Sequence, residues 1–347
     1  MFEYGDLTVK NPSSHWSFSS DGDSNDFKLH KVLERKETDA KWVRLSKNEE
    51  EWRKIADFKS LEELHLYSPS DEQIELISTL KGIKRLSINS YRPRTIDFLS
   101  KMNGLEELSL NAVSGFDDLT PISSLSNLKA LNLDLLRRVK NFSPLFSLKH
   151  LKFLRIIGNF DFNQPINDLH FVIGLQRLEY LVLNDVRIIE KENAASPLAY
   201  LKSLLYLGLP GNAFSVDEYA FIAEALKGVE GAEKEPVVKY IQFSHGNSMW
   251  GESVPWQVPD EKVDHIDMHR PLKPAVRTAS GVVLALDGLT DIGLPSGKTG
   301  HMILLGRGSR SFQSTLKNAE KRCLAHIEKY HQAKLDARIR LKEMDAT

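Results

Sequence analysis

The sequence contains a single cysteine, Cys323, in 347 residues. One thiol excludes an internal disulfide framework and a zinc site built from several cysteines. No apolar run approaches the roughly 18 residues of a membrane-spanning helix. Residues 1–6 also lack the basic and apolar regions of a secretory signal. We therefore expect no membrane contact and a cytoplasmic location, with export as an effector by a dedicated machine as the alternative.

Neither sign of charge is in excess, since 46 basic residues stand against 47 acidic ones. Residues 271–347 hold 13 Lys or Arg against 7 Asp or Glu. The acidic residues are interspersed among the basic ones, which is typical of a solvated helix. No basic stripe with interleaved aromatic residues is present, so we expect no nucleic-acid partner.

What the sequence does contain is a repeated six-residue pattern, L-x-x-L-x-L. Its copies start at Leu105, Leu128, Leu151, Leu178 and Leu204, with spacings of 23, 23, 27 and 26 residues. Two related copies begin earlier, at Leu61 and Ile83. Self-similarity at a period of twenty-odd residues predicts a leucine-rich-repeat solenoid of α/β class, in which each coil supplies one strand and one connector.

The connecting segments predict short helices. Residues 71–80 carry apolar residues at helical spacing. Later connectors place Ser before Pro, as in Ser143-Pro144 and Ser196-Pro197. Proline is favoured at the first helical position, and a preceding serine suits the cap. We expect a curved parallel sheet on the concave side and these helices on the convex side.

These features resemble bacterial internalin-type leucine-rich repeats over about residues 57–245. The resemblance rests on the apolar positions, the period and the Pro-Leu-x-x-Leu connectors. It implies a solenoid that binds a partner, not a reaction. Two features depart from the family pattern: Asp134 and Ile157 replace the asparagine that follows the strand, and the period lengthens after Asn159. We therefore expect a less regular second half.

Three domains are predicted. Residues 1–56 form a lead-in and an N-terminal β cap, with strands over residues 27–33 and 40–45. Residues 57–270 form the solenoid. Residues 271–347 form a C-terminal cap that hides the last apolar edge.

Within these domains, the later segments fit the repeat less well. Strands at residues 238–243 and 263–268 match the pattern loosely. Residues 282–286 and 302–305 predict a β-hairpin, and a long helix is expected from Phe312 to about Met344.

Isolated motifs do not predict catalysis, a metal or a cofactor. Residues 293–299 have one residue too few between the glycines for a phosphate loop and precede a strand instead of a helix. His265, Asp267 and His269 alternate along one predicted strand, a geometry that seldom converges on one ion. Cys323 occupies a helical core position, where a lone thiol usually acts as small apolar filling.

The working surface is predicted from strand alternation. Positions three, five and seven of each repeat point away from the leucine core. In the late repeats these positions become aromatic or aliphatic beside an arginine, which is the composition of a binding hot spot when it faces solvent. The predicted partner-binding residues are Phe153, Arg155, Ile157, Tyr180, Val182, Tyr206 and Tyr240.

The sequence therefore favours a non-enzymatic scaffold that binds a protein on its concave face, as an adaptor or immunity-type protein. The alternatives are a secreted bacterial effector that docks a host protein, and an enzyme whose chemistry lies in residues 271–347.

Overall fold

The computed structural model describes residues 28–37, 39–159, 161–241, 284–285, 300–308, 312–313 and 317–345. The chain divides into two compact units, Met1–Leu207 and Gly208–Thr347. Among the described residues, no helix is both long and apolar enough to cross a membrane.

Eight strands form one sheet whose order follows the chain. They are β1 (Trp42–Ser46), β2 (Glu63–Tyr67), β3 (Arg85–Asn89), β4 (Glu107–Asn111), β5 (Ala130–Asp134), β6 (Phe153–Ile157), β8 (Tyr180–Asn184) and β10 (Tyr206–Gly208). From β1 to β8, neighbouring strands pair in parallel with equivalent repeat positions opposite each other. This register confirms the predicted leucine-rich-repeat solenoid.

The repeat leucines form the core behind this sheet. The residues at the fourth position, such as Leu64, Leu108 and Leu181, are fully buried. Burying each leucine contributes about 1.5–3 kcal/mol. One coil cannot exclude water from its own leucines, so adjacent coils must stack to complete the core.

The connectors are mostly short 3₁₀ helices, as expected of short helical segments. They span Trp52–Asp57, Asp97–Lys101, Thr120–Ser124, Ser143–Ser147, His170–Gly174 and Ser196–Tyr200. One connector is an α-helix, α2 (Asp71–Ile77), which begins with a capping box formed by Ser70 and Gln73.

The predicted serine caps of the proline-containing connectors are wrong. Ser143 is the first residue of its 3₁₀ helix, and no side chain caps that helix at Phe142. Instead, Asn141 Oδ1 accepts a hydrogen bond from the Ser143 amide at 3.0 Å. Asp118 Oδ1 accepts from the Thr120 amide in the same way, at 2.8 Å. An Asp or Asn two residues earlier therefore accepts a hydrogen bond from the amide of the residue before the proline.

The strand predicted over residues 27–33 is also wrong. Residues Leu29–Glu34 form α1. Leu29 and Val32 are both fully buried, and their spacing of three residues places them on one face of a helix. The second element of the N-terminal cap, β1, is a strand as predicted and pairs with β2.

The two longest repeats build an extra sheet. Strands β7 (Gln164–Ile166) and β9 (Val186–Ile188) pair in parallel and form a two-stranded sheet of their own. Gln164 is fully buried, and its Nε2 donates to the carbonyl oxygens of Val139 at 2.8 Å and Leu136 at 3.2 Å. The longer period therefore adds an element while the main sheet stays in register.

Within its described residues, the second unit contains an antiparallel sheet and two helices. Strand β11 (Val237–Ile241) pairs antiparallel with β12 (Leu284–Ala285) on one side and β13 (Gly300–Leu304) on the other, and β13 pairs with β14 (Phe312–Gln313). The prediction of a repeat strand at residues 238–243 is therefore wrong. The predicted hairpin is wrong as well, because β11 lies between β12 and β13. Residues 263–268 and the predicted boundary at 270/271 lie outside the described residues.

Helix α3 (Val216–Ala225) begins at a Ser215 cap, whose side chain accepts a hydrogen bond from the Glu218 amide. The predicted long helix is α4 (Ala319–Asp345), although it starts later than Phe312. It lies against α3, where Arg338 Nε is 2.8 Å from Glu224 Oε2.

Candidate functional site

The register aligns three rows of side chains on one face of the eight-stranded sheet, which we call the ladder face. The third-position row is Glu63, Arg85, Glu107, Ala130, Phe153, Tyr180 and Tyr206. The fifth-position row is His65, Ser87, Ser109, Asn132, Arg155, Val182 and Gly208, and the seventh-position row is Tyr67, Asn89, Asn111, Asp134, Ile157 and Asn184. Tyr206 occupies the third-position row like Tyr180, because its amide makes the equivalent hydrogen bond to the preceding coil. The Tyr206 amide donates to the Glu179 carbonyl at 3.1 Å, and the Tyr180 amide donates to the Lys152 carbonyl at 2.9 Å.

The early half of the ladder face is a charged cluster. Glu63 Oε1 lies 2.7 Å from His65 Nε2, and the His65 ring stacks on Trp42 with ring centroids 4.9 Å apart. Arg85 Nε lies 3.1 Å from Glu107 Oε1. Burial raises the pKa of Glu107, and the charge of Arg85 opposes that shift. The charged side chains of this half therefore already contact one another within the protein.

The centre of the face is a polar chain. Asn132 Nδ2 donates to Ser109 Oγ at 2.9 Å, and Arg155 Nη1 donates to Asn132 Oδ1 at 3.4 Å. Burial raises the pKa of Asp134 to about 6, against the opposing charge of Arg155. The centre therefore holds a carboxylate that ionises close to neutral pH.

The late half is an aromatic and aliphatic block. The rings of Phe153 and Tyr180 have centroids 6.3 Å apart, and Phe153 also packs with Ala130. The expectation that the late half faces solvent is wrong for Phe153, Ile157, Val182 and Tyr206, whose exposures are 0%, 6%, 1% and 3%. Large side chains at equivalent positions of adjacent strands, about 4.8 Å apart, shield one another from water. Arg155 and Tyr180 stay partly exposed.

Tyr240 is not on this face. Its backbone belongs to β11, in the antiparallel sheet of the second unit, and its side chain lies outside the described residues. The structure thus aligns six of the seven predicted contact residues on the ladder face and leaves two of them, Arg155 and Tyr180, accessible.

The other candidate residues fall in two groups. Cys323 is buried, and its Sγ lies 3.1 Å from the thioether sulfur of Met302. Burial also lowers the pKa of the nearby His326. The second group, residues 293–299 and His265, Asp267 and His269, lies outside the described residues.

Two features were not anticipated from the sequence. The Trp42–His65–Glu63 cluster joins the N-terminal cap to the first repeat. The second feature is a group of Asp168, His170 and Glu190 at the edge of the extra sheet. The spacing of Asp168 and His170 could have signalled a helix start, but only the fold brings Glu190 to them.

The raised pKa of Asp134 predicts a pH dependence of stability. The folded pKa of about 6 exceeds the ordinary aspartate value of 3.8. The stabilisation is therefore complete below about pH 4 and is lost as the pH rises through about 6. Asp134→Asn should remove this dependence and raise the free energy of unfolding at pH 7 by about 1–2 kcal/mol, with allowance for partial exposure. Urea denaturation from pH 4 to 7 measures it.

The matched control is Asp118→Asn. Hydrogen bonds from the side chain and amide of Thr120 lower the pKa of Asp118, so its removal should reduce stability above about pH 4, with the opposite sign. Parallel stability curves for the wild type and Asp134→Asn would contradict the prediction.

No protein-family profile matches the chain, and no curated protein matches it. Among solved structures, internalin C2 from Listeria monocytogenes is 28% identical over 44% of this chain and 64% of that chain, with a TM-score of 0.36. The internalin inlF from the same organism is 18% identical over 56% of this chain and 52% of that one, with a TM-score of 0.40. A leucine-rich-repeat protein from Leptospira interrogans is 21% identical over 60% and 53%, with a TM-score of 0.45.

The chain spans between 52% and 64% of the length of these three relatives. Two of these proteins are internalins, and the third is a leucine-rich-repeat protein. The fold itself rests on the strand register and the 3₁₀ connectors described above. In line with the predicted resemblance, this chain is similar to internalins, and its strand register makes the first unit a leucine-rich-repeat solenoid.

Proposed function

We propose that this chain is a non-enzymatic protein-interaction scaffold whose partner contacts the late half of the ladder face, around Arg155 and Tyr180. The observation that carries the proposal is the change in chemistry along the aligned rows. The third-position row runs from Glu63 and Arg85 at one end to Phe153, Tyr180 and Tyr206 at the other. A partner therefore meets different chemistry in the two halves.

The early half is poorly suited to an intimate contact. Its charges already pair with one another, as Arg85 does with Glu107 at 3.1 Å and His65 does with Glu63 at 2.7 Å. Covering these pairs would remove their remaining hydration without supplying better partners. We expect this half to contribute orientation more than affinity.

The late half has the features of a binding hot spot. Arg and Tyr are enriched among the residues that dominate binding energy. Tyr180 packs against the fully buried ring of Phe153, which limits the conformations that Tyr180 loses on binding. In this proposal Arg155 and Tyr180 touch the partner. The buried residues of the same rows, Phe153, Ile157, Val182 and Tyr206, lie beside them and do not reach the partner. Tyr240 drops out of the predicted contact set, because its strand is in another sheet.

The environment of Cys323 supports the non-enzymatic part of the proposal. A nucleophilic thiol needs an electropositive and partly exposed setting. Cys323 is only 3% exposed and lies among Met302, Phe312 and Ala319. The alternative of an enzyme in residues 271–347 would be favoured if a purified second unit turned over a substrate.

The proposal is tested with the double variant Arg155→Ala with Tyr180→Ala. A partner is first captured from the source cell with the full chain and identified, and its affinity is then measured by titration. We expect the double variant to lose about 2 kcal/mol of binding free energy, or roughly 30-fold in affinity. The melting temperature should change much less than for a variant of the buried Phe153.

The matched control is Ser87→Ala with Asn111→Ala, on the fifth-position and seventh-position rows of the early half. This pair should change the affinity less than about threefold, which is under 1 kcal/mol. Equal losses for the two double variants, or no loss for either, would contradict the proposed contact surface.

The biological setting also remains a proposal. We place the protein in the cytoplasm as an adaptor or immunity-type protein, with a protein partner and without a nucleic-acid or membrane partner. A partner encoded by the same cell supports this setting. A partner found only among host proteins supports the alternative of a secreted effector.

A further inference from the structure

Two consecutive coils bring three metal-ligating side chains together beside the extra sheet. Asp168 and His170 lie at the start of the 3₁₀ helix His170–Gly174, and Glu190 follows strand β9. One ligand atom from each of the three side chains lies within 4.8 Å of the other two. Among the residues that the structure describes, this is the one group of three or more such side chains.

The backbone around the group is held by hydrogen bonds between the two coils. The Ile189 amide donates to the Ile166 carbonyl at 2.8 Å, and the Glu190 amide donates to the Asn167 carbonyl at 2.9 Å. Asp168 Oδ1 accepts from the His170 amide at 2.8 Å. The three side chains therefore extend from a fixed frame, and only their own torsions need to change when they close on an ion.

The distance between two of the three ligand atoms already suits a small cation. His170 Nδ1 lies 3.3 Å from Asp168 Oδ1. Two ligands bound to zinc at about 2.0–2.2 Å in tetrahedral geometry are separated by about 3.3–3.6 Å. The His170 side chain is 70% exposed, so an ion from solvent has an open path, and water can fill the fourth position.

We propose that Asp168, His170 and Glu190 bind a divalent transition-metal ion of the zinc class. One imidazole nitrogen with two carboxylate oxygens favours such an ion, because calcium and magnesium prefer oxygen ligands alone. The ion joins the coil that contains β7 to the coil that contains β9. The competing reading is a simple hydrogen bond between His170 and Asp168, with Glu190 nearby by chance.

Calorimetric titration of the full chain with zinc chloride tests this site. Because the chain has 11 histidines, the informative quantity is the difference between variants and not the total zinc bound. His170→Ala and Glu190→Gln should each abolish one zinc-binding event or lower its affinity at least about tenfold. Excess magnesium should not displace the zinc.

The matched control is His150→Ala. His150 is an exposed histidine in an earlier coil, where Arg177 Nη1 lies 3.1 Å from its Nδ1. The positive charge of Arg177 should disfavour metal binding at this histidine. This variant should titrate like the wild type. As a second readout, zinc should raise the melting temperature of the wild type and of His150→Ala but not of His170→Ala. Identical zinc titrations for the wild type and His170→Ala would overturn the proposal.

Discussion

Phe153→Ala is expected to lower the free energy of unfolding by about 3–5 kcal/mol. Phe153 lies on the face that alternation assigns away from the leucine core, yet its side chain is 0% exposed. Its ring packs with Ala130 and Tyr180. Removing the ring leaves a cavity, and the strands on either side, β5 and β8, cannot close it without losing register. Urea denaturation followed by circular dichroism measures the loss.

Phe153→Leu is the control for this prediction. Leucine keeps most of the apolar volume, so this change should cost less than about 1.5 kcal/mol. If Phe153→Ala unfolds at the same urea concentration as the wild type, the packing of the Phe153 ring against Ala130 and Tyr180 does not stabilise the fold. Phe153 would then be a direct contact candidate again, beside Arg155 and Tyr180.

The repeated pattern was sufficient to predict the main sheet. Residues such as Leu64, Leu108 and Leu181 recur at one position, and a coil that must bury them can do so only by stacking on its neighbours. The register then follows, because a slip of one residue would turn every leucine to the other face. The six contact candidates on the ladder face were aligned correctly for the same reason.

Exposure could not be predicted in the same way. Alternation specifies the side of the sheet to which a side chain points, but burial depends on the size of the neighbours in the same row. Phe153 lies between Ala130 and Tyr180 in its row and packs with both, so water is excluded from its ring. Glu107, on the other side of Ala130, stays partly exposed.

Short apolar runs misled the prediction at both ends of the solenoid. Residues 27–33 contain both alternating and helically spaced apolar residues, and a run of this length does not discriminate between the two periods. Residues 238–243 matched the six-residue pattern but began 34 residues after Leu204. The broken period was the better guide, because β11 belongs to an antiparallel sheet.

The sequence pattern could not predict the extra sheet, although the longer repeat spacings that produce it were visible in the sequence. The spacings of 27 and 26 residues signalled insertions after β6 and β8. Nothing local indicates that the two insertions pair with each other. The pairing joins Gln164 to Val186 and Ile166 to Ile188. It also brings Glu190 to Asp168, which is why the proposed metal group could not be assembled from spacing.

Gly158→Ala is expected to lower the free energy of unfolding by at least about 3 kcal/mol. This value is at or above the upper end of the usual cost of overpacking a core. Gly158 directly follows β6, at the start of the first insertion. A Cβ atom there would overlap the carbonyl oxygens of Phe162 and Asp185 and lie 2.8 Å from the Gln164 amide nitrogen. All three are backbone atoms, so no side-chain rotation relieves the overlap.

The cost extends beyond one loop, because the overlapped atoms belong to two coils. The Gly158 amide donates to the Asn184 carbonyl at 3.0 Å, and the Gln164 amide donates to the Asp185 carbonyl at 2.7 Å. Moving the backbone away from the new methyl group weakens both hydrogen bonds and disturbs the β7–β9 pairing.

The matched control is Gly104→Ala, whose Cβ would lie 3.7 Å from the nearest atom, the Ile83 carbonyl oxygen. That variant should differ from the wild type by no more than about 0.5 kcal/mol. Urea midpoints that coincide for the two alanine variants would show that the insertions are not closely packed at Gly158.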